Sequence, residues 1–255
     1  MIKVLLNPKD IHRGSLILVN KIYPIVNMTD DNIRLVPVNS SDSDIYLEVH
    51  TANMLNQLIM DLNCSNDVVP VSGYRSLEEQ TQIYSESMVA NGETFTEMYV
   101  ALPNRSEHQT GMAIDLAKKQ ELIDFIRPLF PYKGVWQMFR DKGRRYGFIE
   151  RYPKGKEHIT GIAHEPWHFR YVGYPHAEIM HEKGFTLEEY IEFVRKFGYK
   201  KKHFKREYEN GCIEIFFIKA TPSMQSSIDI PEGAHYQISG NNVDGFIVTL
   251  WRANQ

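Results

Sequence analysis

The sequence predicts an α+β body followed by a small β-rich appendage. Three observations point there. Between residues 45 and 198, segments with apolar residues three and four apart alternate with short β-branched or alternating runs. After Gly198 the helical pattern stops. Three strand-like segments follow, at 213–218, 235–238 and 246–251, the last two joined by the turn signal Gly240-Asn-Asn-Val-Asp-Gly. Finally, 255 residues with 42% apolar and 24% charged side chains suit one large globular domain, or one domain with a small addition.

Taken in order, residues 1–50 read as irregular structure with short strands at 16–19 and 45–49. Residues 52–62 read as a helix, because Leu55, Leu58, Ile59 and Leu62 share one face. A strand follows at 68–72, and Pro70 confines it to a sheet edge or an irregular position. Residues 77–89 form a second helix, with Ser76 as N-cap and Glu79 as its capping-box partner. A short buried strand is expected at 112–117 and helices at 121–130 and 135–146. An alternating strand covers 167–172, and a helix over 175–182 stops at Gly184. Thr186 and Glu189 cap a further helix that reaches about Phe197. Lys200, Lys201, Lys202, Lys205 and Arg206 make a basic run, read as a solvated linker face. The expected division is a body over 1–199, with an irregular extension at 1–45, and an appendage over 200–255.

Lys plus Arg is 29 and Asp plus Glu is 32, so the net charge is 29 − 32 = −3. That balance argues against a nucleic-acid partner, which usually meets a strongly basic domain. No apolar run approaches the ~20 residues of a membrane span. The N-terminal segment lacks the apolar stretch of about 7–15 residues found in secretory signals. Cys64 and Cys212 stand in unrelated contexts and make neither a disulfide framework nor a zinc knuckle. A cytoplasmic location is expected.

Two stretches carry chemistry: Ser106-Glu-His108-Gln-Thr-Gly111-Met-Ala-Ile-Asp115 and His164-Glu165-Pro-Trp167-His168-Phe-Arg. The second contains the letters His-Glu-x-x-His, which on a helix bind zinc. Pro166 breaks that helix, and the aromatic flanks favour a strand. On a strand, His164 and His168 lie roughly 13 Å apart, too far for one metal. His168 remains a candidate ligand and His164 does not. His108 in a loop and Asp115 on a strand supply the other candidates. Gly111 allows the tight backbone between them. Three protein ligands leave one tetrahedral position open, as in catalytic zinc sites, where a held water becomes acidic. Glu165 then stands ready to take a proton and deliver it to a leaving amine.

The ordered pattern Ser-x-His-x-x-Gly-x-Ala-x-Asp then Glu-x-Trp-His resembles the zinc D,D-peptidases of the VanY/VanX group. Ser106, His108, Gly111, Ala113, Asp115, Glu165, Trp167 and His168 match it. So does the upstream Ser72-Gly-Tyr-Arg75-Ser, with Gln80 beyond it. The likeness covers about residues 45–198. It implies the hedgehog/D,D-peptidase fold, a central antiparallel sheet flanked by helices. It also implies zinc held by His108, Asp115 and His168, with Glu165 as general base and acid. Arg75 would contact the scissile carbonyl, and its fixed guanidinium fork suits that task. Ser106 is expected to touch substrate, and Gln80 to hold its terminal carboxylate or to pack. Tyr74 and Trp167 are expected as pocket walls or core. The implied substrate is a small peptide or peptidoglycan precursor ending in D-Ala, as in the bifunctional cytoplasmic VanXY enzymes of vancomycin resistance. Alternatives are an L,D-carboxypeptidase or endolysin-like peptidase of the same fold, a zinc-bearing module without turnover, and a His-Glu-x-x-His protease that depends on His164.

Overall fold

Strand β1 (Ile2–Leu6) starts the chain. Strands β2 (Leu35–Pro37) and β3 (Tyr46–Glu48) then pair with each other antiparallel. The computed structural model describes residues 1–26, 33–38, 44–208 and 211–253. These pack as two units, one of residues 19–186 and one of residues 1–18 with 187–255.

In the first unit, helix α1 (Val49–Leu62) begins three residues before the expected position. The Glu48 carboxylate accepts the backbone N–H groups of His50 and Thr51 and supplies the cap. Its apolar face buries Leu55, Leu58 and Ile59. Strand β4 (Val68–Ser72) follows, then helices α2 (Leu77–Asn91) and α3 (Glu93–Tyr99). The capping box expected at Ser76 and Glu79 is present, with both reciprocal bonds formed. Strand β5 (Ala113–Lys118), helix α4 (Gly134–Gly143) and strand β6 (Phe148–Tyr152) come next. The short helix α5 (Glu157–Thr160), strand β7 (Glu165–Tyr171) and helix α6 (His176–Lys183) complete the unit.

Four of these strands form an antiparallel sheet in the order β4-β5-β7-β6. Strand β4 is therefore an edge, where Pro70 is tolerated and the register shifts between Pro70 and Ser72. Strand β5 is inside the sheet and buried from Ala113 to Ala117. Helix α4 packs against α1 and β6. Phe139 of α4 meets Phe130 and Phe169 edge-on, at ring-centroid distances of 5.7 and 5.1 Å.

Two sequence expectations fail here. Residues 121–130 are not helical. The Asp124 carboxylate accepts the backbone N–H groups of Ile126 and Arg127, and Pro128 lacks the donor a helix needs. Residues 16–19 are buried but form no strand. The Leu16 N–H goes to the Ser239 hydroxyl and the Leu18 N–H to the Asn241 carbonyl instead of to a ladder.

The second unit begins with β1 and resumes with helix α7 (Leu187–Val194), which starts directly after Thr186. Strands β8 (Phe204–Tyr208), β9 (Gly211–Lys219), β10 (Ser226–Ile230), β11 (His235–Gly240) and β12 (Gly245–Ala253) follow. Their order is β11-β12-β9-β8, antiparallel throughout, while β1 pairs with β10. Leu6, Phe216, Ile218, Ile228, Phe246 and Val248 share one core. The division thus falls at 186/187, and residues 1–18 pack with the C-terminal sheet rather than with the body. Lys205 and Arg206 belong to β8, where Lys205 pairs with Glu214 at 3.1 Å, so the basic run is only partly a linker.

Candidate active site

Sheet register brings the key side chains together. Asp115 of β5 stands directly opposite His168 of β7 and, on its other side, opposite Ser72 of β4. His108 lies on a short 3-10 turn, Glu107–Thr110, which ends at Gly111 with φ +68°. A side chain there would press a Cβ to 2.9 Å from the Glu48 nitrogen, which donates to the Gly111 carbonyl. That glycine lets the turn lie close to the start of α1 and aims His108 at the sheet.

The Gly73 carbonyl lies 2.6 Å from His108 Nδ1. A carbonyl only accepts, so Nδ1 carries the proton and Nε2 presents its lone pair. Nε2 lies 3.2 Å from Asp115 Oδ2. On the opposite side, His168 Nδ1 lies 2.9 Å from Asp115 Oδ1. One ligand-type atom from each of His108, Asp115 and His168 falls within 4.8 Å of the others, and all three residues are buried. Two imidazoles and a carboxylate are a borderline donor set that suits zinc. His164 lies outside the cluster. Its Nε2 is 2.6 Å from the Tyr132 hydroxyl and 3.6 Å from Glu150.

Arg75 leans on the same group. Its Nε donates to the Ser72 hydroxyl at 2.8 Å and its Nη2 to Asp115 Oδ2 at 2.9 Å. Glu165 opens β7, with Oε2 3.8 Å from His168 Nδ1. Burial pushes the Glu165 carboxyl up to about 8. Burial also lowers His108, to about 4, with the Arg75 charge acting in the same sense. For Asp115 burial acts upward, but the two imidazoles outweigh it and hold the carboxyl well below its usual range. His168 is raised, because its contacts with Asp115 and Glu107 overcome burial.

These groups line one pocket. Arg75, Ser106, Glu165 and Trp167 all face it, together with Tyr99, Phe125 and Tyr152. Gln80 and Tyr74 do not line it. The Gln80 amide is used elsewhere: its nitrogen donates to the Ala101 carbonyl at 2.8 Å, and its oxygen lies 3.4 Å from Arg75 Nη1. Gln80 therefore supports the arginine and does not reach the cavity.

The sequence reading missed Glu107. It is 1% exposed, between Arg151 and Arg170, which are both fully buried. Its Oε1 accepts from Arg151 Nε at 2.8 Å and lies 2.9 Å from Arg170 Nη1. Burial acts upward on this carboxyl, but the two guanidinium charges hold it well below the usual range. A single Glu between two motif positions gives no sequence signal of this kind.

Residues 44–174 match the model of the VanY family, described as D-alanyl-D-alanine carboxypeptidase. The chain is 41% identical over 183 residues to the bifunctional D-Ala-D-Ala dipeptidase and carboxypeptidase VanXYC of Enterococcus gallinarum, covering 71% of this chain and 95% of that one. It is similar to the solved structure of the vancomycin resistance D,D-dipeptidase VanXYg in complex with a D-Ala-D-Ala phosphinate analogue. That match has a TM-score of 0.94 and 50% identity, and covers 98% of this chain and 99% of the other. A variant of the D,D-pentapeptidase VanY from a VanB-type resistance cassette, solved in complex with Zn(II), matches at TM-score 0.58 and 32% identity over 69% of this chain and 98% of that one.

Proposed function

The chain belongs to the VanY family of D-alanyl-D-alanine carboxypeptidases, and from that premise we propose that it hydrolyses the D-Ala-D-Ala bond of the free dipeptide and of peptidoglycan-precursor peptides. One observation carries the proposal. Three ligand-type side chains from a turn and two strands meet within 4.8 Å, beside Glu165 and Arg75, at the wall of a pocket.

His108 Nε2, the Asp115 carboxylate and His168 Nδ1 would hold one zinc ion. When bound, the cation supplies Lewis acidity, which polarises a carbonyl and eases the ionisation of water. The protein's own groups do the remaining work. Glu165, beside the cluster, takes a proton from the attacking water and returns it to the leaving amine. Arg75 is held by Ser72 and Asp115 and presents a fixed donor to the carbonyl oxygen as negative charge develops there. Ser106 and Trp167 border the bound peptide. A cytoplasmic location goes with this reading, supported by two free thiols at Cys64 and Cys212.

The test is D-Ala release from D-Ala-D-Ala and from a pentapeptide ending in D-Ala-D-Ala, with an L-Ala-D-Ala dipeptide as control. Release from the D,D substrates should vanish on chelation, return with zinc, and be absent in Glu165→Gln. Release that survives chelation, or cleavage of the L,D substrate alone, would overturn the proposal.

A further inference from the structure

An imidazole can give a lone pair from Nδ1 only if its proton stays on Nε2. What faces Nε2 therefore decides whether His168 is a ligand at all. At that nitrogen stands Glu107, whose Oε2 lies 3.7 Å away. Among the described residues neither Glu107 Oε2 nor His168 Nε2 has a hydrogen-bond partner, and both atoms are buried.

The arrangement at Glu107 is asymmetric. Arg151 and Arg170 could share its two oxygens, one each. Both instead converge on Oε1, at 2.8 and 2.9 Å. The second oxygen is left for His168. The flanking guanidinium charges come from neighbouring strands, β6 and β7, and favour the ionised carboxylate, which can only accept. A movement of under ~1 Å brings the pair to ordinary hydrogen-bond length.

We propose that Glu107 is the positioning residue for His168: its Oε2 accepts the Nε2–H, fixes the ring, and keeps Nδ1 turned toward the cation. Arg151 and Arg170 act one step further out, by holding Oε1. Glu107 borders the pocket, but its role here is exerted through His168. The inference rests on the metal reading given above.

Glu107→Gln keeps the shape and leaves an amide oxygen for the arginines. It turns an NH2 group toward His168, which favours the tautomer with Nδ1 protonated. Zinc affinity, measured by competition with a chromophoric chelator, should fall by about 10–100-fold. The visible spectrum of the cobalt-loaded variant should also change. Arg151→Gln disturbs the same buried cluster without altering the oxygen that faces His168. It should lower the thermal midpoint of the apo-protein yet retain zinc far better than Glu107→Gln. Glu107→Asp keeps the charge and should recover part of the affinity.

Equal zinc affinity in wild type and Glu107→Gln would overturn the proposal while leaving the metal reading intact. So would equal losses in Glu107→Gln and Arg151→Gln, which would mark a purely structural cluster. Wild-type protein that takes up no zinc would sink both readings together. If Glu107→Gln fails to fold, Glu107→Asp decides: a several-fold loss of affinity supports the proposal, and unchanged affinity refutes it.

Discussion

Replacing Arg75 by Lys separates charge from geometry at the candidate site. Arg75 makes two short contacts, to Ser72 at 2.8 Å and Asp115 at 2.9 Å, and a longer one to Gln80 at 3.4 Å. Lysine keeps the positive charge but carries it on one nitrogen at the end of a flexible stem. It cannot hold Ser72 and Asp115 together and still aim a donor into the pocket. Asp115 loses at most one charge-assisted bond, about 1.5–3 kcal/mol, and keeps both imidazoles. The fold and zinc uptake should therefore survive. Loss of one donor to a developing oxyanion costs about 10²–10³ in kcat, ~2.7–4 kcal/mol. Because the contact strengthens only as charge develops, kcat and kcat/KM should fall together. The assay is initial-rate D-Ala release from D-Ala-D-Ala at fixed saturating zinc, with zinc content measured on the same sample. A kcat within about threefold of wild type, only ~0.7 kcal/mol, would refute the oxyanion role. A collapse of zinc content would show that Arg75 serves the fold instead.

Three further outcomes are expected. His164→Ala should keep zinc and turnover, since His164 bonds to Tyr132 and stands apart from the cluster; loss of zinc, measured by titration, would revive a His-Glu-x-x-His site. Burial holds the His176 imidazole down to about 3, below an unfolded value of ~6.5. Its contribution is therefore intact above about pH 6.5 and is lost as pH falls toward 3, reaching ~2 kcal/mol by pH 5. Urea unfolding at pH 7 and pH 5 should show a smaller acid loss in His176→Gln than in wild type, and equal losses would contradict the assignment. Phe139→Ala removes a fully buried ring packed on Phe130 and Phe169. It should cost about 3–5 kcal/mol, read from the urea midpoint, and a loss under ~1 kcal/mol would show that this cluster is loosely packed.

Local signals were the most legible part of the sequence. The capping box at Ser76 and Glu79 formed as expected, and Pro70 did mark an edge strand. The apolar face of α1 was visible in Leu55, Leu58 and Ile59. Strand β6 was not, because Glu150 and Arg151 sit mid-strand and read as surface. Arg151 is fully buried, and its pairing with Glu107 offsets the cost of that position. The non-helical course of 121–130 depends on competition from the Asp124 side chain and on Pro128, which the apolar spacing outvoted. At the site, residue types and order brought His108, Asp115, His168 and Glu165 to notice, and the resemblance to the VanY/VanX group added Arg75. Which imidazole nitrogen faces Asp115 was not legible, since Gly73 and Glu107 decide it through space. Nor was the placement of Gln80, whose amide is taken up by Ala101.

The account depends on one cation held by three side chains. Anomalous diffraction at the zinc edge from zinc-loaded crystals tests it directly. One peak is expected, about 2.0–2.2 Å from His108 Nε2, an Asp115 carboxylate oxygen and His168 Nδ1. A peak bound to His164, or the absence of any peak at this cluster, would contradict it.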